Sequence, residues 1–172
     1  FVRYYSDYWP SFETAGVLIP AQGEAMLLIG PESMTYAKDH SVLPKIRKLL
    51  AFRESSEPEY PGAALSSFTD VIEEAMDGRT PQNIGIAGYS LISHAIYQNL
   101  HAALSVYGDI PILHADEVVS KIRVIKSENE IACLREAYRI TQEAMKAVLS
   151  QIHVGMTENQ VKGIAMAKIF AE

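Results

Sequence analysis

Residues 123–137 read RVIKSENEIACLREA and contain the most specific pattern in the chain. Ser127 stands three residues before Glu130, which is the spacing of a capping box. In that motif the serine oxygen accepts an amide hydrogen bond from the third helical residue, and the glutamate reaches back to the amide of the cap. Apolar residues then follow on one helical face, at Ile131, Leu134, Tyr138, Met145, Val148 and Ile152. The pattern predicts a long helix over residues 127–152.

A second helix is predicted downstream of the first one. Gly155 ends the first helical region, and Thr157 and Gln160 repeat the capping-box spacing, so the second helix is expected to continue to Glu172. Upstream of the first helix, Arg123 and Lys126 are expected on an extended arm, where their charges can reach carboxylates of either neighbouring region. We interpret these two charges as structural rather than catalytic.

The region before this arm has the pattern of an α/β domain. Short apolar or aromatic runs predict strands at residues 1–5, 15–20, 25–29, 49–52, 83–87 and 110–113. Gly23, between the second and third runs, indicates a hairpin. Helical patterns cover residues 32–39, 68–75 and 90–104, the last with Leu91, Ile92, Ala95, Ile96, Leu100 and Ala103 facing inward. This order predicts a layered α/β domain with a mixed sheet over residues 1–120, followed by two helices over residues 121–172.

Composition excludes some classes of function. The net charge is −6, which argues against nucleic acid as a partner because phosphate binding requires clustered cations. The one basic cluster, Lys45, Arg47 and Lys48 near Arg53, is interpreted as a solvated face. A single cysteine, Cys133, cannot form an internal disulfide, so an oxidising compartment is not indicated and a cytoplasmic protein is expected. No apolar run approaches the ~18 residues of a membrane helix.

Catalytic constellations are scarce in this sequence. His94 and His101 lie two helical turns apart, too far to share a metal ion, and are interpreted as a helix-surface pair. Gly85 and Gly88 stand between a strand and a helix, but the third glycine and the lysine of phosphate-binding loops are missing, so a simple turn is favoured. No G-x-S-x-G motif is present.

The remaining candidates also have a structural interpretation that we prefer. Carboxylates at Asp70, Glu73, Glu74 and Asp77 are expected on a solvated helix face rather than as an acid–base pair. Cys133 lies near a helix start, which can lower a thiol pKa, but without a nearby histidine it is interpreted as a small packed side chain. We therefore assign no catalytic residue and no metal ligand within this chain.

The segment at residues 123–137 strongly resembles the R-x-I-K-s-x-x-E-I-x-x-l-r-x-A linker of the creatinase/Xaa-Pro peptidase family, which includes prolidase and aminopeptidase P. Gly155 to Glu158 (GMTE) resembles the G-x-T-E that opens the second helix of the family's pita-bread catalytic domain. Val2 to Ser6 is similar to the family's n-x-x-Y-l-[ST]-G strand end, although Asp7 stands where glycine is usual. Ile84-Gly85 resembles the family's i-G-v/i-e strand.

This resemblance implies a creatinase N-terminal-like, ribonuclease H-like three-layer domain, followed by the linker and first two helices of a truncated pita-bread domain. It implies a parent that is a metal-dependent Xaa-Pro aminopeptidase or dipeptidase acting on small peptides. The family's two divalent ions (Mn, Co or Zn), held by two Asp, one His and two Glu, are expected beyond Glu172. The chain alone is therefore expected to be inactive.

In this family the amino-terminal domain helps to form oligomers, and a dimer is expected here. It can also place residues over a neighbouring subunit's active site, for which the candidates are Tyr8, Trp9, Phe12 and Glu13; packing of Trp9 and Phe12 under the sheet is the equal alternative. Three other interpretations stay open: a creatinase-like or other non-peptidase enzyme, a non-catalytic protein-interaction module, and a small-ligand domain that uses the Gly85–Gly88 turn. The expected partners are a second subunit and a small peptide, and neither a nucleic acid nor a membrane.

Overall fold

The computed structural model describes residues 1–11, 13–54 and 60–172. The chain divides into two compact units, Phe1–Ser120 and Lys121–Glu172. Each unit is described by itself.

The first unit has an α/β order of elements. It contains strands β1 (Gly16–Leu18), β2 (Met26–Ile29), β3 (Lys45–Lys48), β4 (Ile84–Ile86) and β5 (Ile112–His114). Its helices are α1 (Val2–Ser6), α2 (Met34–His40), α3 (Phe68–Met76), α4 (His94–Ser105) and the first part of α5 (Asp116–Val124), with 3₁₀ turns at Pro31–Ser33 and Leu50–Phe52. The predicted α/β class is confirmed.

The strands form one mixed sheet of three strands and one parallel pair. β1 runs antiparallel to β2, with Val17 opposite Leu27, which confirms the predicted hairpin. β3 runs parallel to β2, with Leu27 opposite Ile46. β4 and β5 are parallel, with Gly85 opposite Leu113.

Apolar side chains are buried on both faces of the mixed sheet. Met26 and Leu28 of β2 join a large cluster formed with α3 and α4, whereas Leu27 and Ile29 join a second cluster around Tyr8 and Ala37. Successive side chains of a strand point to opposite faces, so a strand covered on both faces must be apolar throughout. This explains why the run MLLI is fully buried.

The predicted first strand is wrong, because residues 2–6 form helix α1. The Ser6 hydroxyl donates to the Val2 carbonyl over 2.8 Å, and the amide of Asp7 donates to the Arg3 carbonyl over 2.9 Å. Asp7 adopts the left-handed conformation, with φ 58°, that commonly ends a helix. These local bonds outweigh the preference of the aromatic residues for a strand.

The fourth predicted strand is displaced toward the amino terminus. The strand is Lys45–Lys48, and the predicted residues from Leu50 to Phe52 form a 3₁₀ turn instead. Charged residues are tolerated in this strand because Glu74 of α3 neutralises two of them. The Arg47 guanidinium donates to its carboxylate over 2.6 and 2.8 Å, and the Lys45 ammonium lies 3.6 Å away.

Helix α4 begins at His94, four residues later than predicted. Ser93 caps it by accepting the amide of Ile96 over 3.2 Å. Ile96, Leu100 and Ala103 are buried as predicted. Leu91 is not on the inward face, because it precedes the helix and is 87% exposed. Ala95 lies in the helix but is exposed as well.

The second unit contains helices α6 (Glu128–Gln151) and α7 (Glu158–Phe170), which pack against each other. Both predicted capping boxes are confirmed. The Ser127 amide donates to the Glu130 carboxylate over 2.8 Å, and the Thr157 amide donates to the Gln160 side chain over 2.8 Å. α7 ends at Phe170 rather than continuing to Glu172.

The predicted extended arm is partly wrong, because Arg123 lies in the last turn of helix α5. Asp116 and Glu117 in its first turn and Lys121 and Arg123 in its last turn complement the helix dipole. Only residues 125–127 between α5 and α6 are non-helical.

The predicted apolar stripe of α6 is largely uncovered. Ala144 and Val148 are the buried residues of this helix. Five members of the stripe are exposed: Ile131, Leu134, Tyr138, Met145 and Ile152. The pattern therefore marks an apolar face that α7 does not cover.

Candidate functional site

The loop that follows α1 carries an exposed tryptophan. Trp9 is 58% exposed, and the guanidinium of Arg3 lies 4.6 Å from its ring centroid. A guanidinium over an indole face is a favourable cation–π pair. Arg3 thus holds an aromatic side chain at the surface rather than under the sheet.

The neighbouring candidates occupy different positions. Tyr8 is fully buried, its ring meets Tyr36 edge-on at 5.5 Å, and its hydroxyl has no hydrogen-bond partner in the described part of the chain. Glu13 is only 9% exposed. Phe12 lies outside the described residues. Among the three described candidates, Trp9 is the one with an exposed side chain, whereas Tyr8 and Glu13 are buried.

Three carboxylates lie near this loop. Burial raises the pKa of the Glu54 carboxyl, and the negative charges of Glu13 and Glu32 add to the effect. Glu32 accepts the amide of Glu54 over 3.3 Å and also accepts the Tyr60 hydroxyl. This acidic group was not found from the sequence, because its members are separated by about twenty residues each and come together only through the fold.

The Gly85–Gly88 segment forms a turn, as the sequence favoured. Gly88 has φ 85°, and its amide donates to the Asp116 carboxylate at the start of α5. A carboxylate already occupies the amide that an anion would use, and its charge repels phosphate. The nearby end of α4 is capped by Ser93. These contacts argue against the small-ligand interpretation.

An aromatic group that the sequence did not indicate lies beside this turn. Tyr89 stacks on His114 with ring centroids 3.5 Å apart, and it meets Tyr97 edge-on at 6.1 Å. A hydrogen bond with Tyr89 raises the pKa of Tyr97, and burial adds to the shift. This aromatic group could be predicted only from the strand order, because the carboxyl ends of two adjacent parallel strands bring Tyr89 and His114 together.

The interdomain residues have structural partners. The Lys126 ammonium donates to the Val124 carbonyl over 3.1 Å, and Ser127 and Glu130 complete the capping box of α6. Arg123 is part of α5. Cys133 is exposed, so the prediction of a packed thiol is wrong.

The acidic stretch on α3 is also structural. Asp70 forms a capping box with Ser67. The hydrogen bond from the Ser67 backbone amide is the main cause of the lowered pKa of the Asp70 carboxyl, and the hydrogen bond from the Ser67 side chain adds to it. The side-chain hydrogen bond from Arg47 is the main cause of the lowered pKa of Glu74. Asp77 ends the helix in a left-handed conformation with φ 49°.

Two features are absent from residues 1–11, 13–54 and 60–172: a cluster of metal ligands and a membrane-spanning helix. This part of the chain contains no group of three or more His, Cys, Asp or Glu side chains that could hold a metal ion. None of its helices has both the length and the apolar character needed to cross a membrane.

Comparison with known proteins gives a result at the level of the fold. No family model matches the chain, and no curated protein matches it. Solved structures do match. X-Pro aminopeptidase from Thermotoga maritima MSB8 aligns with TM-score 0.67 and 21% identity over 98% of this chain and 42% of its own.

Two further structures agree with the first. The prolidase from Pyrococcus horikoshii OT3 aligns with TM-score 0.66 and 22% identity over 99% of this chain and 41% of its own. The Xaa-Pro dipeptidase from Bacillus anthracis aligns with TM-score 0.64 and 20% identity over 98% of this chain and 41% of its own. The resemblance to Xaa-Pro peptidases is thus confirmed as a shared fold over nearly the whole of this chain, which spans about two-fifths of the length of those structures.

Proposed function

We propose that this chain is the amino-terminal, non-catalytic part of a metal-dependent Xaa-Pro aminopeptidase or dipeptidase. The observation that carries the proposal is the fold likeness to three such enzymes over 98–99% of this chain. In this proposal residues 1–120 are a creatinase N-terminal-like, ribonuclease H-like domain, and residues 121–172 are the linker and first two helices of a pita-bread domain. The protein acts in the cytoplasm.

The described residues do not fit two divalent metal ions, since they offer no group of three or more metal-ligating side chains. No catalytic step is therefore assigned to them. In this proposal, ions of Mn, Co or Zn are bound by polypeptide outside this chain. They would activate a water molecule for attack on the bond before proline.

The uncovered face of α6 supports a longer parent. Its exposed members include Tyr138 at 72% and Met145 at 53%. A continuous apolar stripe of this kind on a soluble protein usually marks a contact surface. In the proposed parent, the remainder of the pita-bread domain covers this face.

The proposed role of the first unit is to form a dimer and to shape the substrate site. Trp9 supports this role, because exposed tryptophan is enriched among the residues that dominate protein interfaces. Arg3 restrains its ring before any partner arrives, which reduces the entropy lost on contact. Trp9 of one subunit then covers the peptide bound by the other.

Two alternatives are compatible with the same observations. A creatinase-like or other non-peptidase enzyme is compatible with the same likeness, because a shared fold does not determine the reaction. A non-catalytic interaction module would explain both the exposed stripe of α6 and the lack of a metal-ligand group among the described residues.

The test compares this chain with the protein extended downstream of Glu172 through its own coding sequence. Both are assayed for hydrolysis of Xaa-Pro dipeptides and longer Xaa-Pro peptides with manganese, and again after chelation. We expect hydrolysis by the extended protein alone, lost on chelation. Turnover by the short chain above a buffer blank would contradict the placing of the site, and hydrolysis of creatine but not of peptides would favour the non-peptidase alternative.

The role of Trp9 is tested in the extended protein with Trp9→Ala, and with Leu91→Ala as a matched control at another exposed apolar position of the same unit. We expect Trp9→Ala to raise KM or to reduce the molar mass measured by light scattering, while the control changes neither. Equal KM values and equal molar masses for the two variants would show that Trp9 does not lie in the interface.

A further inference from the structure

Two helices of the first unit end in the same way, at an aspartate with positive φ. Asp7 ends α1 with φ 58°, and Asp77 ends α3 with φ 49°; they are the described non-glycine residues with positive φ. Both aspartates are exposed. Aspartate adopts this left-handed conformation more readily than most residues do, because its side chain is short and polar. The two sites differ in the residue that follows the aspartate.

The residue after Asp77 is Gly78, and its backbone amide is free. Gly78 is exposed, and its amide donates to no group in the described part of the chain. Apart from its chain neighbours, no heavy atom lies within 4 Å of the point where a Cβ on Gly78 would stand. The Asp77 carboxylate likewise has no hydrogen bond or ion pair among the described residues. A free carboxyl group and a free amide are thus adjacent in the chain at this helix end.

The residue after Asp7 is Tyr8, and its amide is engaged. This amide donates to the Ser6 hydroxyl over 3.2 Å, and the Tyr8 side chain is fully buried. Rotation of the peptide between Asp7 and Tyr8 would break that hydrogen bond and displace a buried ring. Asp7 is therefore an internal control, with the backbone conformation of Asp77 but a fixed neighbour.

We propose that the Asp77–Gly78 peptide is a site of spontaneous modification, at which Asp77 converts to isoaspartate. The Gly78 nitrogen attacks Cγ of the protonated Asp77 carboxyl and forms a C–N bond, while the carboxyl hydroxyl leaves as water with the amide proton. The product is a cyclic succinimide. A water molecule then breaks the bond between the main-chain carbonyl carbon of Asp77 and the Gly78 nitrogen, which leaves isoaspartate and restores the original mass. Hydrolysis at Cγ instead returns aspartate.

Arg79 restrains this reaction, because it binds the end of the helix. Its amide donates to the Met76 carbonyl over 3.0 Å, and its Nε donates to the same carbonyl over 2.7 Å. The guanidinium also donates to the side chain and the carbonyl of Gln22, over 2.8 and 3.0 Å, in the loop between β1 and β2. The Gly78 nitrogen reaches Cγ when Asp77 rotates about its Cα–C bond, and this rotation displaces Arg79. Local opening of this helix end therefore limits the rate.

The modification lengthens the main chain at the end of α3. In isoaspartate the side-chain methylene becomes part of the backbone, so the spacing between Met76 and Arg79 changes. The hydrogen bonds of Arg79 to the helix end and to Gln22 depend on that spacing. The modified chain should therefore lose the connection between α3 and the β1–β2 loop.

The experiment ages the chain for several weeks at about pH 5, where an ordinary aspartate carboxyl with a pKa of about 3.9 is still partly protonated. Isoaspartate is measured by methyl transfer from S-adenosylmethionine with a protein isoaspartyl methyltransferase, and it is located by peptide mapping with mass spectrometry. Asp77→Gly is the matched control, because glycine adopts the left-handed conformation without strain and has no carboxyl group. Asp77→Asn is the positive control, because loss of ammonia from asparagine gives the same succinimide.

We expect isoaspartate at Asp77, none at Asp7 and none in the Asp77→Gly variant. Arg79→Ala should accelerate the conversion about 5-fold, the factor that corresponds to a loss of about 1 kcal/mol of hydrogen bonding. An unchanged rate in Arg79→Ala would overturn the restraining role of Arg79. The proposal itself is overturned if position 77 stays unmodified while Asp77→Asn converts, or if Asp7 and Asp77 convert equally.

Discussion

A pair of leucine substitutions tests how α4 packs in the first unit. The sequence pattern placed both Leu91 and Leu100 on the inward face, whereas the structure leaves Leu100 6% exposed and Leu91 87% exposed. Leu100 belongs to the large cluster that joins α3, α4 and the strands. Because the same side chain is shortened to alanine at both positions, the two variants differ mainly in how far the removed leucine is buried.

The magnitude follows from the buried area. Removal of a buried leucine side chain loses its transfer free energy and leaves a cavity, and together these cost about 2–5 kcal/mol. Leu100→Ala should fall in this range, because almost none of its side chain is exposed. Leu91→Ala removes a side chain that stays largely in water, so its effect should lie within about 0.5 kcal/mol of zero.

The assay is urea unfolding followed by tryptophan fluorescence. The chain has one tryptophan, Trp9, which lies in the first unit, so its signal is not mixed with that of the helix pair. With a slope of about 2 kcal/mol per molar urea, Leu100→Ala should lower the midpoint by about 1–2.5 M. Leu91→Ala should leave the midpoint unchanged.

Similar midpoint losses for the two variants would refute the assignment of the inward face of α4. If Leu100→Ala does not fold, Ile96→Val provides a milder test, with an expected loss of about 0.5–1.5 kcal/mol at a buried position of the same helix. A slope that changes along with the midpoint would show that the unfolded state has been altered, and the comparison would then rest on Ile96→Val.

Three further predictions concern caps and ion pairs. Glu130→Ala should destabilise the start of α6 by about 0.5–2 kcal/mol, whereas Glu130→Gln should keep the capping box; exchange of the first-turn amides measures both. The hydrogen bond from Lys168, followed by that from Arg139, lowers the pKa of the Glu172 carboxyl to about 2 from its usual 4.5. A depressed carboxyl stabilises the folded state above its unfolded pKa, so this contribution to the helix pair should be lost as pH falls from about 4.5 to 2, and a ¹³C titration of Glu172 that shows an ordinary pKa would contradict it. Arg79 donates to the Ala75 and Met76 carbonyls and to Gln22, so Arg79→Ala should cost about 1 kcal/mol in the urea assay and Arg79→Lys should not restore it.

Local signals predicted the structure where local bonds determine it. Ser127 with Glu130, and Thr157 with Gln160, mark helix starts because each pair satisfies its own end of the helix within four residues. The hairpin of β1 and β2 could be predicted for the same reason, because its two strands are close together in the sequence. Helix α5 carries a comparable local signal, because its first turn is acidic and its last turn is basic.

Long-range contacts explain what the sequence could not show. The strand at Lys45–Lys48 is stabilised by Glu74, which lies 27 residues from Arg47 along the chain. A run of three cations in four residues predicts a solvated face unless the partner carboxylate is known. The sequence pattern therefore favoured the apolar run from Leu49 to Phe52, which the fold uses instead for the core beside α4.

The loop after α1 shows how far a site can be predicted from composition. The sequence makes both Tyr8 and Trp9 candidates for an interface, but adjacent residues in an extended segment point in opposite directions, so the two side chains lie in different environments. That rule separates the pair without a structure. The choice of which one is buried depends on the fold: Asp7 ends α1 in a left-handed turn, and Tyr36 of α2 provides the ring against which Tyr8 packs. Trp9 is thereby turned outward, so its ring is exposed and lies beside the guanidinium of Arg3.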